Sequence, residues 1–281
     1  MSKEIIMKTA KIIVALGMVG TVVLFVYSVM ANKLDVSAGL KFLFVLVSLA
    51  VTFIKLSKIR GLDAQTPEFY LRAYDFLIGN AFKDDKNGRK TLGKALVLYN
   101  KNKYGEAVAL LEKLEGSARG LAERRVAGIF IALCYLDWGL LPQAEKRLEE
   151  LVDMGAESFT VYNALGNARG GMGKHEAAIA AYKVAADYAD PEDLGTIWGN
   201  MARVYLAEFD IEAAENYALK ALEADPDLCD VAGVLAMVYD VKENMEGFNK
   251  YYELALAKGQ DEAELLKAIH SYTARFNAEK S

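Results

Sequence analysis

Histidine and cysteine are nearly absent from these 281 residues, and their scarcity removes several chemistries at once. The two histidines, His175 and His270, lie far apart, and neither has Cys, Asp or Glu at a spacing that builds a zinc site. The two cysteines, Cys134 and Cys229, show no CxxC spacing and occupy apolar helical positions in different repeats, so reduced core thiols are expected. No Ser-His-Asp or Cys-His arrangement can be assembled, so no enzyme activity is expected, and no cofactor. The glycine-rich run Gly166–Lys174 fails as a phosphate loop: the Walker spacing would need Gly in place of Ala168 and Ser or Thr in place of His175. Acidic stretches such as Glu145–Asp153 have the character of solvated helix faces. The formal net charge is −5, and Lys and Arg form no long cluster, so binding of nucleic acid by a broad basic face is not expected.

What is present is a motif that returns every 34 to 37 residues. Tyr104-Gly105-Glu106-Ala107, Leu141-Pro142-Gln143-Ala144, His175-Glu176-Ala177-Ala178 and Ile211-Glu212-Ala213-Ala214 carry Ala at one phase, with spacings of 37, 34 and 36. A period of this size implies stacked supersecondary units, each too small to bury its own apolar face. Small residues (Ala132, Gly166, Ala178, Ala202, Ala214) fit where two helices cross closely. Gly139 and Gly173 fall at turns between paired helices, where left-handed dihedrals are wanted. Pro226 lies just beyond a helix end.

These units resemble the tetratricopeptide repeat. Tyr162-Asn163-Ala164-Leu165-Gly166 is similar to the family's W-x2-L-G opening, and Ala178, Tyr182 and Ala185 follow in the second helix. The next copy opens at Trp198 and continues through Met201, Ala202, Tyr205, Ala214, Ala218, Ala221 and Asp225-Pro226. Earlier copies carry Ala132, Tyr135, Gly139, Ala144 and Leu148, and Ala95, Tyr104, Ala107 and Leu111. A fifth has Ala236, Tyr239, Tyr252 and Ala255, with Phe248 where a small residue is expected. The resemblance spans residues 89–259. It implies an α-α solenoid whose inner groove binds a protein or peptide partner.

In such proteins the first helix of each pair lines the groove. The resemblance then places Leu92, Leu96 and Tyr99 there in the first copy, and Ile129, Leu133 and Leu136 in the second. Asn163, Asn167 and Gly170 follow in the third, Thr196, Asn200 and Arg203 in the fourth, and Met237 and Asp240 in the fifth. The early groove is therefore expected to be apolar. The later part offers amides for an extended backbone and one guanidinium for a carboxylate.

The first sixty residues have another character. Ile12–Ala31 is a run of twenty without a charged residue, eleven of them Ile, Leu, Val or Phe. At about 1.5 Å each, twenty helical residues span the roughly 30 Å hydrocarbon core. Insertion is favourable by roughly 3 to 7 kcal/mol before polar offsets. Val36–Ile54 contains only Lys41 as a charge, near one end, and the short connector Asn32–Asp35 makes a hairpin. Lys3, Lys8 and Lys11 before it, and Lys55, Lys58 and Arg60 after it, outnumber Lys33 and Lys41 on the connector side. Both termini and the repeats are therefore expected in the cytoplasm. Val29-Met30-Ala31 would pass as a signal-cleavage site, but the run is longer than a signal core and a second apolar segment follows at once.

The expected fold class is all-α, a two-helix transmembrane hairpin followed by the solenoid. Residues 1–60 form the anchor, with helices at about 12–31 and 36–54. Residues 61–88 hold a linker and an apolar capping helix at Pro67–Phe82, followed by a charged turn at Lys83–Lys90. The repeats occupy 89–259. An amphipathic cap with Leu265, Leu266, Ile269, Tyr272 and Phe276 on one side closes 260–281. The expected function is a membrane-anchored scaffold that assembles a complex. A self-associating structural protein is the alternative, as is a non-catalytic subunit of a membrane enzyme.

Overall fold

The computed structural model describes residues 66–280, and the chain divides into two compact units between Phe76 and Leu77. The two segments expected to cross a membrane, 12–31 and 36–54, lie outside the described residues. Among the described residues, no helix is long and apolar enough to cross one.

In the described part of the first unit, helix α1 spans Pro67–Ala73. Thr66 caps it by accepting from the Phe69 amide at 3.2 Å, and Pro67 occupies the first turn, where its missing N–H costs nothing. The single helix expected over Pro67–Phe82 does not form. A second helix, α2, covers only Asp75–Ile78, and the chain then turns at Gly79, whose φ is +47°. A helix apolar on every side cannot bury every side against one neighbour. Breaking it buries Ile78 and Phe82 while Phe76 stays 73% exposed.

The second unit is a run of helix pairs. These are α3 (Lys86–Tyr99) with α4 (Tyr104–Gly116), α5 (Leu121–Asp137) with α6 (Leu141–Asp153), and α7 (Phe159–Gly171) with α8 (His175–Asp187). Then come α9 (Leu194–Ala207) with α10 (Ile211–Ala224), and α11 (Cys229–Val241) with α12 (Met245–Ala257). The last helix, α13, spans Glu262–Lys280. From α3 to α12 each helix packs on the next in sequence, the last helix α13 packs on α11, and the first helices α5, α7, α9 and α11 also touch in succession. The segment Lys83–Lys90, expected as a charged turn, is helical from Lys86 onward. No strand occurs among the described residues.

The periodic alanines explain the close packing. Ala107, Ala144, Ala178 and Ala214 each sit fourth in the second helix of their pair and are fully buried. In the fifth pair Phe248 takes that phase, half-buried and stacked on Tyr252 at 5.5 Å. The close approach moves to Gly247, where a Cβ would lie 2.4 Å from the Tyr239 ring. Stacked tyrosines fill other seams, Tyr205 on Tyr217 and Tyr239 on Tyr251, both at 5.3 Å.

Within every pair, the residue two before the second helix adopts positive φ. It is glycine at Gly139 and Gly173, as expected, but Asn102, Phe209 and Glu243 elsewhere. Phe209 is the least suited to that conformation. Its ring lies 5.7 Å from Tyr272 and 5.8 Å from Phe276 of α13, contacts that offset the strain. The cap buries Leu265, Ile269, Tyr272 and Phe276 and runs to Lys280. Cys134 is buried in α5, and burial above all pushes its thiol up to about 12; Cys229 is half-buried, and both are free thiols.

An ion cluster ties the second pair to the third. Arg169 of α7 donates to Glu145 at 3.1 Å and Glu149 at 2.8 Å, and Lys174 reaches Glu145 at 2.6 Å. The bond from Lys174 holds the Glu145 carboxyl below the usual carboxylate range, against its partial burial, and Arg169 adds to the effect. A carboxyl with a depressed folded pKa contributes stability above its unfolded pKa and loses it as pH falls through the folded one. Glu145→Gln is therefore expected to lower the urea midpoint at pH 7 and to flatten its decline on acidification. An acid limb as steep as that of the wild type would remove Glu145 from the account.

Candidate functional site

The polar residues expected on the third and fourth first helices form a connected ladder. Asn200 of α9 donates through Nδ2 to Asn163 Oδ1 of α7 at 2.8 Å. Its own Oδ1 accepts from Arg203 Nη2, and Arg203 Nη1 pairs with Asp230 of α11. Side chains from three successive pairs are thereby linked. Asn200 is only 4% exposed and spends both ends of its amide on this ladder, as a buried amide must. It is a brace. Arg203 has one nitrogen on Asp230, and its side chain remains 45% exposed. Asp230 was missed in the sequence because its link to Arg203 depends on how neighbouring pairs stack.

Beside the ladder lies a cleft of about 250 Å³ lined by Asn167, Gly170, His175, Tyr182, Arg203 and Val204, among others. Tyr182 donates its hydroxyl to Asn167 Oδ1 at 2.7 Å. Burial pushes the Tyr182 phenol up to about 12, with Arg203 partly opposing, so it remains a donor across the physiological range. The carbonyl end of Asn167 is therefore occupied, and its amide nitrogen is left to donate toward the cleft. Gly170 keeps one wall low: a Cβ there would touch Val204 at 3.4 Å. His175 lies 3.4 Å from Glu208 at the rim. Tyr182 was legible as a repeat position, not as a cleft wall, and Val204 carried no signal of its own, because a wall is defined by the neighbouring pair.

The structure brings Asn167, Asn200 and Arg203 together, with Asn163 bonded one step behind. Thr196 is exposed and does not line the cleft. The early groove departs from expectation. Leu92 and Leu96 are 0% exposed, because the apolar stripe of α3 is consumed by packing. Ile129 is buried too. Leu133 and Leu136 are half-buried on the cluster that holds Leu148 and Leu151, and Leu77 of α2 packs on that same cluster. Tyr99 is half-buried and hydrogen-bonded to Asp137. In the fifth pair, Asp240 accepts from Thr273 of α13, so the cap engages that end, and Met237 packs on the terminal cluster. Among the described residues, no three His, Cys, Asp or Glu are placed to hold a metal.

The family model of the tetratricopeptide repeat matches residues 159–190 and 195–228, the two pairs that build the cleft. Among the described residues these two repeats lie in an all-α solenoid. Among solved structures it is similar to a chain of the Cut9–Hcn1 hetero-tetramer of the APC/C, with a TM-score of 0.58 and 16% identity. That match covers 72% of this chain and 41% of the other, so this chain spans under half the length of that relative. It is also similar to PilF of Pseudomonas aeruginosa, with a TM-score of 0.56 and 16% identity, covering 69% and 90% of the two chains. TTC0263, a thermophilic repeat protein of Thermus thermophilus, matches with a TM-score of 0.53 and 19% identity over 66% and 98%. At these identities the likeness is one of fold. No curated protein matches the sequence.

Proposed function

We propose that this chain is a membrane-anchored scaffold whose repeats face the cytoplasm and bind an extended segment of a protein partner. The observation that carries the reading is the cleft between the third and fourth pairs. There the Asn167 amide and the open edge of Arg203 stand side by side in a framework already braced by Asn200. An extended peptide exposes carbonyl oxygens that such donors satisfy, and a prepaid geometry lowers the ordering cost of binding. The pairing of Arg203 with Asp230 argues for backbone carbonyls or a side-chain acceptor over a lone terminal carboxylate. The anchor reading rests on the two apolar runs at 12–31 and 36–54 and on the basic residues flanking them. Confinement at the membrane raises the effective concentration of membrane-bound partners, which suits recruitment or assembly of a complex.

The test is partner capture from gently solubilised native membranes, comparing wild type with Asn167→Ala/Arg203→Ala at equal helicity. Losing two donors, one of them charged, predicts capture at least about tenfold weaker. Equal capture would place the partner elsewhere. Release of the protein by alkaline carbonate would overturn the anchor while leaving the cleft untouched.

A further inference from the structure

Charge is distributed unevenly along the solenoid. Residues 83–103 hold seven basic and two acidic residues, whereas 137–280 hold 13 basic and 27 acidic. The fold concentrates the basic excess further. Lys86, Lys90 and Lys94 stand at four-residue intervals on α3 and form one exposed stripe. Like charges at that spacing repel, and Asn87 and Thr91, one position on from Lys86 and Lys90, supply no compensating carboxylate. Next to the stripe is a cleft of about 430 Å³ between α3 and α4, to which Lys94, Lys113, Arg119, Thr91 and Ser117 contribute. Its one carboxylate, Asp85, is already paired with Arg119 at 3.4 Å. Lys86, Lys90, Lys94 and Lys113 have no ion-pair partner among the described residues, so their charge is available to something outside the molecule.

We propose that this face of the first pair docks on an anionic lipid surface. Complementarity of charge carries the assignment: several unpaired ammonium groups on one exposed face suit a layer of phosphate headgroups. The acidic remainder of the solenoid is repelled by the same surface, which turns the first pair toward the bilayer. The position in sequence agrees, since 83–103 follow the apolar runs by about thirty residues, with Lys55, Lys58 and Arg60 between. The proposal deepens the anchored reading and rests on it for which bilayer is in reach, but the surface itself does not require the anchor.

The test uses the full chain with vesicles of phosphatidylcholine alone and with vesicles also containing phosphatidylglycerol. Two quantities are read: flotation, and amide hydrogen exchange of residues 86–117. Exchange there is expected to slow at least about tenfold on the anionic vesicles only, and to recover in high salt. Lys86→Glu/Lys90→Glu/Lys94→Glu, all at exposed positions, should abolish that protection while flotation on neutral vesicles persists. Flotation on neutral vesicles reports the anchor separately. A chain that floats only on anionic vesicles, and loses this in the triple variant, would retain the docking face and lose the anchor. Equal exchange on both vesicle types would overturn the proposal. So would protection that appears in detergent without lipid as protein concentration rises, since that would assign the face to the acidic pairs of a second copy.

Discussion

Leu235→Ala is expected to cost the solenoid about 2–5 kcal/mol, the range for truncating a leucine with no room to collapse. Leu235 is 0% exposed in α11 and belongs to the cluster that joins Ala202, Leu206 and Ala218 of the fourth pair to Leu265, Ile269 and Tyr272 of the cap. In a stack where each unit leans only on its neighbours, such damage remains local. Urea unfolding should therefore broaden or split, with α11 to α13 losing hydrogen-exchange protection first and α7 and α8 retaining theirs. A uniform fall in protection along the whole chain would mean that the units unfold as one body. A loss below about 1 kcal/mol would mean that the site repacks.

Gly166→Ala should be destabilising although alanine favours helix. The helical gain is at most about 1 kcal/mol. Against it, a Cβ at this position would lie 2.4 Å from the Tyr182 ring, which is itself buried between α7 and α8 and cannot swing to solvent. Overpacking of that kind costs about 1–3 kcal/mol, so the clash prevails. A double-mutant cycle decides the cause: with Tyr182→Leu in place, Gly166→Ala should become neutral or mildly stabilising. If the substitution hurts equally in both backgrounds, the ring is not the reason. Function should follow, because the displaced phenol is the group that orients Asn167. Partner capture should weaken in Gly166→Ala by more than the fraction unfolded explains.

The parts of the fold visible in the sequence are those set within one unit. Ala107, Ala144, Ala178 and Ala214 repeat because each pair must cross at a small residue, and that requirement leaves a periodic trace. Gly139 and Gly173 were visible for the same reason, while Phe209 and Glu243 perform the same turn without the glycine that marks it. What depends on neighbouring units was not visible. Leu92 and Leu96 read as groove residues because the resemblance carries the family's groove positions onto them, and a position within a repeat does not say what covers it. The union of Asn163, Asn200, Arg203 and Asp230 needs the stacking register of three pairs. Helix Pro67–Phe82 was overextended because the turn at Gly79 competes with a helix whose apolar sides exceed the available cover. The lysine stripe was hidden in what looked like a charged turn, and only helical geometry from Lys86 aligns it.

The last helix does more than shield an end. The Tyr272 hydroxyl donates to the Leu206 carbonyl at 2.9 Å, and Tyr272 and Phe276 close over Phe209, so α13 grips the fourth pair as well as the fifth. A stack normally frays one unit at a time from its end. Here the clasp makes the first step of unzipping from this side the concerted release of cap and fifth pair together. Transient openings at that terminus become rare and large in place of frequent and small, and the cleft one pair further in inherits a quiet boundary.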